Sequence, residues 1–253
     1  MLTNPIGIPF IELKSVDSTN NYALTQVHGG MAHPGTCYFA YEQTAGKGQR
    51  GKSWAIEKNT GIAISIVLKP NFLQPFQQFH LSACMAVATH EFFKKYSGKA
   101  TTIKWPNDLY WQDRKAGGIL IENIISSRES GIGNWEWAVV GIGININQKE
   151  FPPDLPNPVS LNQIMSRDFD TLLLAHDLCR TIDHFYNQLM LEGFDPVFKA
   201  YNEFLYKKNE PVKLKKGNRI FETTIKGVSE TGQLITQYAI EERFDFGEVE
   251  WIL

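Results

Sequence analysis

Short apolar runs broken by glycine, proline and polar clusters alternate along this chain with two long stretches of helical period. Residues 10–13, 37–41 and 62–68 are apolar runs of strand length, the third closed by Pro70, and each reads as a β-strand. Residues 18–27 read as a short helix, with Asp17 or Ser18 available as its N-cap. Over residues 79–96, Leu81, Cys84, Val87, Ala88, Phe92 and Phe93 fall near helical spacing. Strands are expected next over 102–105, 109–111, 118–125 and 135–142. Pro152, Pro153, Pro156 and Pro158 make residues 151–158 an extended connection. Asp170 then caps a helix through Leu191, in which Leu174, Leu178, Ile182, Phe185 and Leu189 form a core-facing stripe, and a further helix is expected near 195–205.

After Lys207-Lys208-Asn209 the pattern shortens to strands over 212–214, 219–228, 234–237 and 249–253, with turns at Lys216-Gly217-Asn218 and Glu230-Thr231-Gly232. This pattern predicts a small antiparallel barrel. A piece of roughly 45 residues is marginal alone, so it should pack on the main body.

The chain has 253 residues, 43% hydrophobic and 21% charged, which suits a globule with a sizeable core. A formal net charge of −2 argues against a broad electrostatic grip on nucleic acid. No apolar run approaches the ~20 residues that span a bilayer, and residues 1–10 lack the features of a signal peptide. Cys37, Cys84 and Cys179 are odd in number, lie in apolar surroundings and show no metal-ligand spacing. They read as reduced core thiols of a cytoplasmic protein.

Chemistry concentrates in four polar, glycine-bearing segments. Thr44-Ala45-Gly46-Lys47-Gly48-Gln49-Arg50-Gly51-Lys52-Ser53-Trp54 alternates glycine with cations directly after a strand. Glycine admits close approach of the backbone and lets successive amides line one concavity, and the cations add positive charge around it. The spacing is neither a Walker loop nor a dinucleotide fingerprint. Lys104-Trp105-Pro106-Asn107-Asp108 and Arg114-Lys115-Ala116-Gly117-Gly118-Ile119-Leu120 follow, with Asp17-Ser18-Thr19-Asn20-Asn21 upstream and Gly141-Ile142-Gly143-Ile144-Asn145 downstream.

Together these segments resemble the bacterial biotin–protein ligases from about residue 10 to the C-terminus. The resemblance implies an α+β fold: a mixed β-sheet catalytic domain flanked by helices, of the class II synthetase-like type, over residues 1–207, and an SH3-like barrel over 208–253. It implies that biotin is activated by ATP to biotinyl-5′-AMP and transferred to a lysine of a carboxylase carrier domain. It also implies Mg²⁺ on the phosphates. Relatives that repress transcription carry an N-terminal helix-turn-helix domain. Only seventeen residues precede Ser18 here, so an enzyme without a DNA-reading head is expected, as monomer or homodimer.

A carboxylate is ionised at neutral pH, so the first step needs electrostatic help, not a base. On the resemblance, Lys115 lies between the biotin carboxylate and the α-phosphate, and Arg50 and Lys52 take phosphates. Ser18, Thr19, Asn20 and Gln43 offer hydrogen bonds to the ureido ring, with Lys47, Gly48, Gln49, Gly117 and Gly118 beside them. Ser18 to Asn20 also read as a plain helix start. Trp54 forms a wall over the adenylate, with Asn107 and Asn145 as further adenylate contacts. Asp108 is assigned to Mg²⁺ or to orienting the acceptor amine; the sequence leaves both open.

Lys47 and Gln49 stand where the best-known form of the loop has arginines. Lysine loses the fork and glutamine the charge, so contact through backbone amides is expected there. Two alternatives stand beside this reading: a lipoyl or octanoyl transferase on the same scaffold, and a non-catalytic phosphate- or RNA-binding module using Lys207, Lys208, Lys213, Lys215 and Lys216.

Overall fold

Strand β3, Gly61–Leu68, is buried at every position, because it is an interior strand of a sheet covered on both faces. The computed structural model describes residues 4–126, 133–153, 155 and 157–252. Pro156, in the expected extended run, and Leu253, in the expected last strand, lie outside the described residues.

Beside β3 lie β1 (Phe10–Leu13), β2 (Cys37–Ala40), β4 (Thr101–Lys104), β5 (Asp108–Trp111), β6 (Arg114–Ser126) and β7 (Asn134–Asn145). The seven strands run in the order β1-β2-β3-β7-β6-β5-β4. β1 and β2 pair parallel and all other neighbours antiparallel, so the sheet is mixed.

Alternation along β3 sends its side chains to two different layers. Ile62, Ile64, Ile66 and Leu68 join the main core beneath α2 (Gln78–Ser97) and α4 (Thr171–Glu192). Val67 joins a smaller cluster with Ala23 and Val27 of α1 (Thr19–His28), which lies on the opposite face. Ser65 points to that same face and meets α1 through hydrogen bonds. α4 begins as its sequence demands: the Asp170 carboxylate accepts from the Leu172 and Leu173 amides, both at 3.0 Å. α5 (Asp195–Glu203) follows Gly193, and a short α3 (Leu161–Met165) precedes α4.

The C-terminal strands β8 (Pro211–Lys216), β9 (Arg219–Val228), β10 (Leu234–Gln237), β11 (Glu241–Phe244) and β12 (Glu250–Ile252) form an antiparallel sheet ordered β11-β10-β9-β8-β12. Among the described residues β11 and β12 do not pair with each other. The antiparallel C-terminal unit expected from the sequence is present as this five-stranded sheet. Its apolar residues Leu214, Ile225, Leu234 and Phe244 belong to the same core cluster as the main sheet. Trp105 Nε1 donates to Gly232 O at 2.9 Å, and Asn202 exchanges bonds of 2.8 and 3.1 Å with the backbone of Val228. Packing on the main body, expected from small size, is present.

Several boundaries differ from those expected. β6 begins at Arg114 and β7 ends at Asn145, so Lys115 and the Gly141-to-Asn145 segment lie in strands. Strand pairing overrides the glycine punctuation there. α3 and β11 were not foreseen, since each is too short for its period to show. Among the described residues no helix is long and apolar enough to cross a membrane.

Candidate active site

Ser18 is the N-cap residue of α1 by position, yet its side chain makes no capping bond. It is buried and lines a pocket with Thr19, Asn20 and Gln43. The plain helix-start reading therefore accounts for its place in the chain but not for its hydroxyl.

A network fixes the polar end of this pocket. The Thr19 amide donates to Gln43 Oε1 at 2.8 Å and its hydroxyl reaches the same oxygen at 3.1 Å. Ser65 Oγ lies 2.8 Å from Thr19 Oγ1 and 2.5 Å from Asn20 Oδ1. Asn20 Nδ2 donates to Glu122 Oε2 at 2.7 Å. These contacts lock the rotamers of the polar side chains that line this end of the pocket.

Two glycines of β7 make room for this arrangement. A Cβ on Gly141 would sit 2.3 Å from Asn20 Oδ1, and one on Gly143 would sit 2.3 Å from Trp54 Nε1. Only a residue without a side chain lets Asn20 and the Trp54 indole lie flat against the sheet.

The charged end is built on β5 and β6. Lys115 Nζ pairs with Asp108 Oδ1 at 2.6 Å, both half-buried, and stands 5.7 Å from the centre of the Trp54 indole. The backbone of Lys115 is bracketed by the segment before α3: its amide donates to Asn157 O at 2.7 Å and its carbonyl accepts from Val159 N at 2.9 Å. Asn145, buried, directs its side-chain amide to Val159 O at 3.2 Å and Lys115 O at 3.5 Å. Asn107 Nδ2 donates to Ile119 O at 2.6 Å, which fixes the turn that presents Asp108.

Lys104 is the hairpin partner of Asp108. It is only 8% exposed, donates to Tyr110 Oη at 3.1 Å and packs on the rings of Tyr110 and Trp251. Burial holds its ammonium down to about 8; Asp108 opposes that shift, while Lys115 and Lys52 add to it.

Of the residues expected from sequence, Ser18, Thr19, Asn20, Gln43, Lys47, Gly48, Gln49, Trp54, Asn107, Asp108, Lys115 and Gly118 all line this one pocket. Four do not. Gly117 is buried behind it, where a Cβ would meet Gly143 O at 2.7 Å. Asn145 acts on the backbone of Lys115. Lys52 is exposed on the loop. Arg50, in a left-handed conformation with φ 55, turns to the C-terminal sheet, donating to Gly247 O at 3.2 Å with its guanidinium 5.9 Å from the Phe246 ring.

Ser65, Glu122, Gly141 and Gly143 were missed as site residues. Ser65 is the lone polar side chain in its apolar strand and Glu122 the lone charge in residues 118–125, and both signals were legible.

The pocket is narrow, about 60 Å³, and Gln43 and Trp54 also line a wider cleft of about 540 Å³ with Ile56, Glu57, Gln148, Glu150 and Phe151. Trp54 Nε1 and Gln49 Oε1 are buried without a hydrogen-bond partner among the described residues. Gln49 and Trp54 both line the narrow pocket. Among the described residues no group of three or more His, Cys, Asp or Glu side chains could hold a metal.

Comparison with known proteins identifies the family. Residues 12–145 match the model of the biotin/lipoate A/B protein ligase family. The bifunctional ligase/repressor BirA of Bacillus spizizenii is 28% identical over 239 residues, covering 93% of this chain and 71% of that protein. The biotin--[acetyl-CoA-carboxylase] ligase of Paracoccus denitrificans is 30% identical over 232 residues, 88% of this chain and 92% of that one. Among solved structures, a biotin protein ligase variant from Aquifex aeolicus in complex with biotin superposes with a TM-score of 0.77 at 25% identity, covering 95% of this chain and 97% of that chain. With the family segment spanning more than half of its length and a relative matched almost end to end, the chain belongs to the biotin/lipoate A/B protein ligase family.

Proposed function

We propose that the protein is an ATP-dependent biotin–protein ligase. The biotin carboxylate attacks the α-phosphorus of ATP, forming the mixed anhydride biotinyl-5′-AMP and releasing pyrophosphate. The amine of a carrier lysine then attacks the acyl carbon, forming an amide and releasing AMP. The observation that carries this reading is one pocket with a neutral hydrogen-bonding end at Ser18 to Asn20 and Gln43 and a cationic end at Lys115. A cyclic urea has both donors and acceptors and fits the first end; two anions brought together need the second.

Lys115 neutralises the carboxylate and the phosphate as they meet, leaving Asp108 as it does so. Asp108 then faces the phosphates and the incoming amine, and can hold the ammonium of the acceptor lysine or accept its proton. A single carboxylate fits a Mg²⁺ that arrives on the nucleotide and keeps most of its water. When bound, the ion neutralises phosphate charge. Arg50 and Lys52 reach the phosphates once the glycine loop leaves its contact with the turn at Gly247. Asn145 serves as a positioning residue for Lys115. Trp54 walls both clefts, so biotin and the α-phosphate lie on one side of it and the nucleoside on the other.

Residues 1–207 are read as the catalytic unit and 208–253 as a unit that completes its surface. The acceptor is a carboxylase carrier domain, a reading supported by the name of the Paracoccus relative, a biotin--[acetyl-CoA-carboxylase] ligase. The reaction is placed in the cytoplasm, consistent with three buried free thiols. Lipoate suits the pocket less well, because its dithiolane ring would cover the Ser18 hydroxyl and the amide rims without returning a hydrogen bond. The test is pyrophosphate release from ATP and Mg²⁺: it should require biotin, and equal turnover with lipoate would reject the assignment.

A further inference from the structure

Asn20 is 3% exposed at the polar end of the narrow pocket, and its amide has two edges of opposite character: the nitrogen donates and the oxygen accepts. Which edge turns inward is decided from outside the pocket. Nδ2 donates to Glu122 Oε2 at 2.7 Å and reaches Leu120 O at 3.5 Å, both on β6. A carboxylate and a carbonyl only accept, so the nitrogen has to face β6 and Oδ1 has to face Ser65. Glu122 itself does not line the pocket, and the reaction described above does not use it.

The consequence appears when protons are counted along the network. Its oxygens run Gln43 Oε1, Thr19 Oγ1, Ser65 Oγ, Asn20 Oδ1, with successive contacts of 3.1, 2.8 and 2.5 Å. Gln43 Oε1 is fixed toward Thr19, because it also accepts from the Thr19 amide at 2.8 Å. Both ends of the chain of contacts are therefore acceptors. The hydroxyls of Thr19 and Ser65 bring two protons to three contacts, so one contact lacks a proton whichever way they turn. With the Asn20 amide reversed, Nδ2 would donate to Ser65 and every contact would hold a proton. Glu122 keeps the network one donor short, and buried oxygens short of a donor favour a ligand that brings an N–H.

We propose that Glu122 is a positioning residue for substrate selection: by holding the Asn20 oxygen inward, it tunes the pocket to a ligand with a ring N–H, as in the ureido group of biotin, and against one that offers only an acceptor there. This rests on the ligase reading above and deepens it by naming the residue that sets the polarity of the site.

The experiment is calorimetric titration of the full chain, wild type, Glu122→Gln and Glu122→Met, with biotin and with two cyclic carbamate analogues, in each of which one ring N–H of biotin is replaced by oxygen. The wild type should bind at least one carbamate about 10- to 100-fold more weakly than biotin, the range for a buried acceptor set against another acceptor. A glutamine donates as well as accepts and a methionine does neither to any extent, so in both variants Asn20 is released to turn. Most of the gap between that carbamate and biotin should then close. The ratio of affinities is the readout, because a general loosening of the pocket weakens both ligands alike. The Met variant serves if the Gln variant does not fold. An undiminished gap in a folded variant, or a wild type that binds both carbamates as tightly as biotin, overturns the proposal while the ligase reading stands. A wild type that binds no biotin overturns both.

Discussion

Lys115 Nζ lies 2.6 Å from Asp108 Oδ1, and the two arrive there on adjacent antiparallel strands, β6 and β5. Without ligand, the cation meant for two anions is held by one carboxylate at the mouth of the pocket. On the proposed reading, the ion pair keeps Lys115 in place and is exchanged for substrate charge when biotin and ATP bind.

Replacing Lys115 by Ala removes that charge from a partly desolvated site. Adenylate formation is expected to fall by roughly 10²- to 10³-fold, the scale for losing one preorganised electrostatic contact. Lys115→Arg should recover only part of the rate, since a fork is a poor substitute for a point charge between two oxygens. Single-turnover adenylate formation, with thermal unfolding beside it, checks this; a folded Lys115→Ala protein with near-normal rates would remove Lys115 from the mechanism.

Gly141→Ala drives a methyl group toward Asn20 Oδ1, where a Cβ would sit at 2.3 Å. The displaced Asn20 would disturb Ser65, Thr19 and, through it, Gln43. Biotin affinity should drop by about 10-fold or more, equivalent to the 1–3 kcal/mol cost of an overpacked site. Calorimetric titration with biotin alone reads this directly, and unchanged affinity would show that the network does not shape the pocket.

Asn145→Ala deletes the amide that ties Lys115 O to Val159 O. A buried carbonyl left short of a donor costs about 1–3 kcal/mol, so the urea midpoint should fall. Because Asn145 is read as acting through Lys115, kcat for adenylate formation should fall with little change in biotin affinity. A loss confined to KM for ATP would mean that Asn145 touches the nucleotide instead.

Lys104 gives a pH signature. Burial holds its ammonium at about 8 in the folded protein, against an ordinary 10.5 when unfolded. Between those values the unfolded chain binds more protons, so this group adds stability as pH rises and costs stability below pH 8. Lys104→Met should be the more stable protein at pH 7, and the difference should close by roughly 3 kcal/mol across that window. Urea unfolding of both proteins at pH 7 and pH 10 measures it; a pH-independent difference would mean that Lys104 is not held down by burial.

Most of the sheet and both long helices could be read from the chain because their periods are long enough to show. The Asp170 cap and the stripe from Leu174 to Leu189 fixed α4 almost to the residue. The site was legible as motifs, because glycines and cations concentrate in so few segments. What escaped was what depends on tertiary approach. Gly117 and Gly143 lay outside the expected strands, yet they and Gly141 lie in strands and clear space for Asn20, Trp54 and the neighbouring backbone. Ser65 and Glu122 carried a visible polar signal, but only the packing of α1 on β3 explains why they are there. The turning of Arg50 to Gly247 joins residues nearly two hundred positions apart, and no local pattern encodes it.

The most direct test of the central claim is the intact mass of an apo carboxylase carrier domain after incubation with this protein, ATP, Mg²⁺ and an equimolar mixture of biotin and lipoate. The expected result is one added biotinyl group on a single lysine, absent without ATP and lost with Lys115→Ala. A lipoyl adduct, or an unmodified carrier alongside active pyrophosphate release, would contradict it.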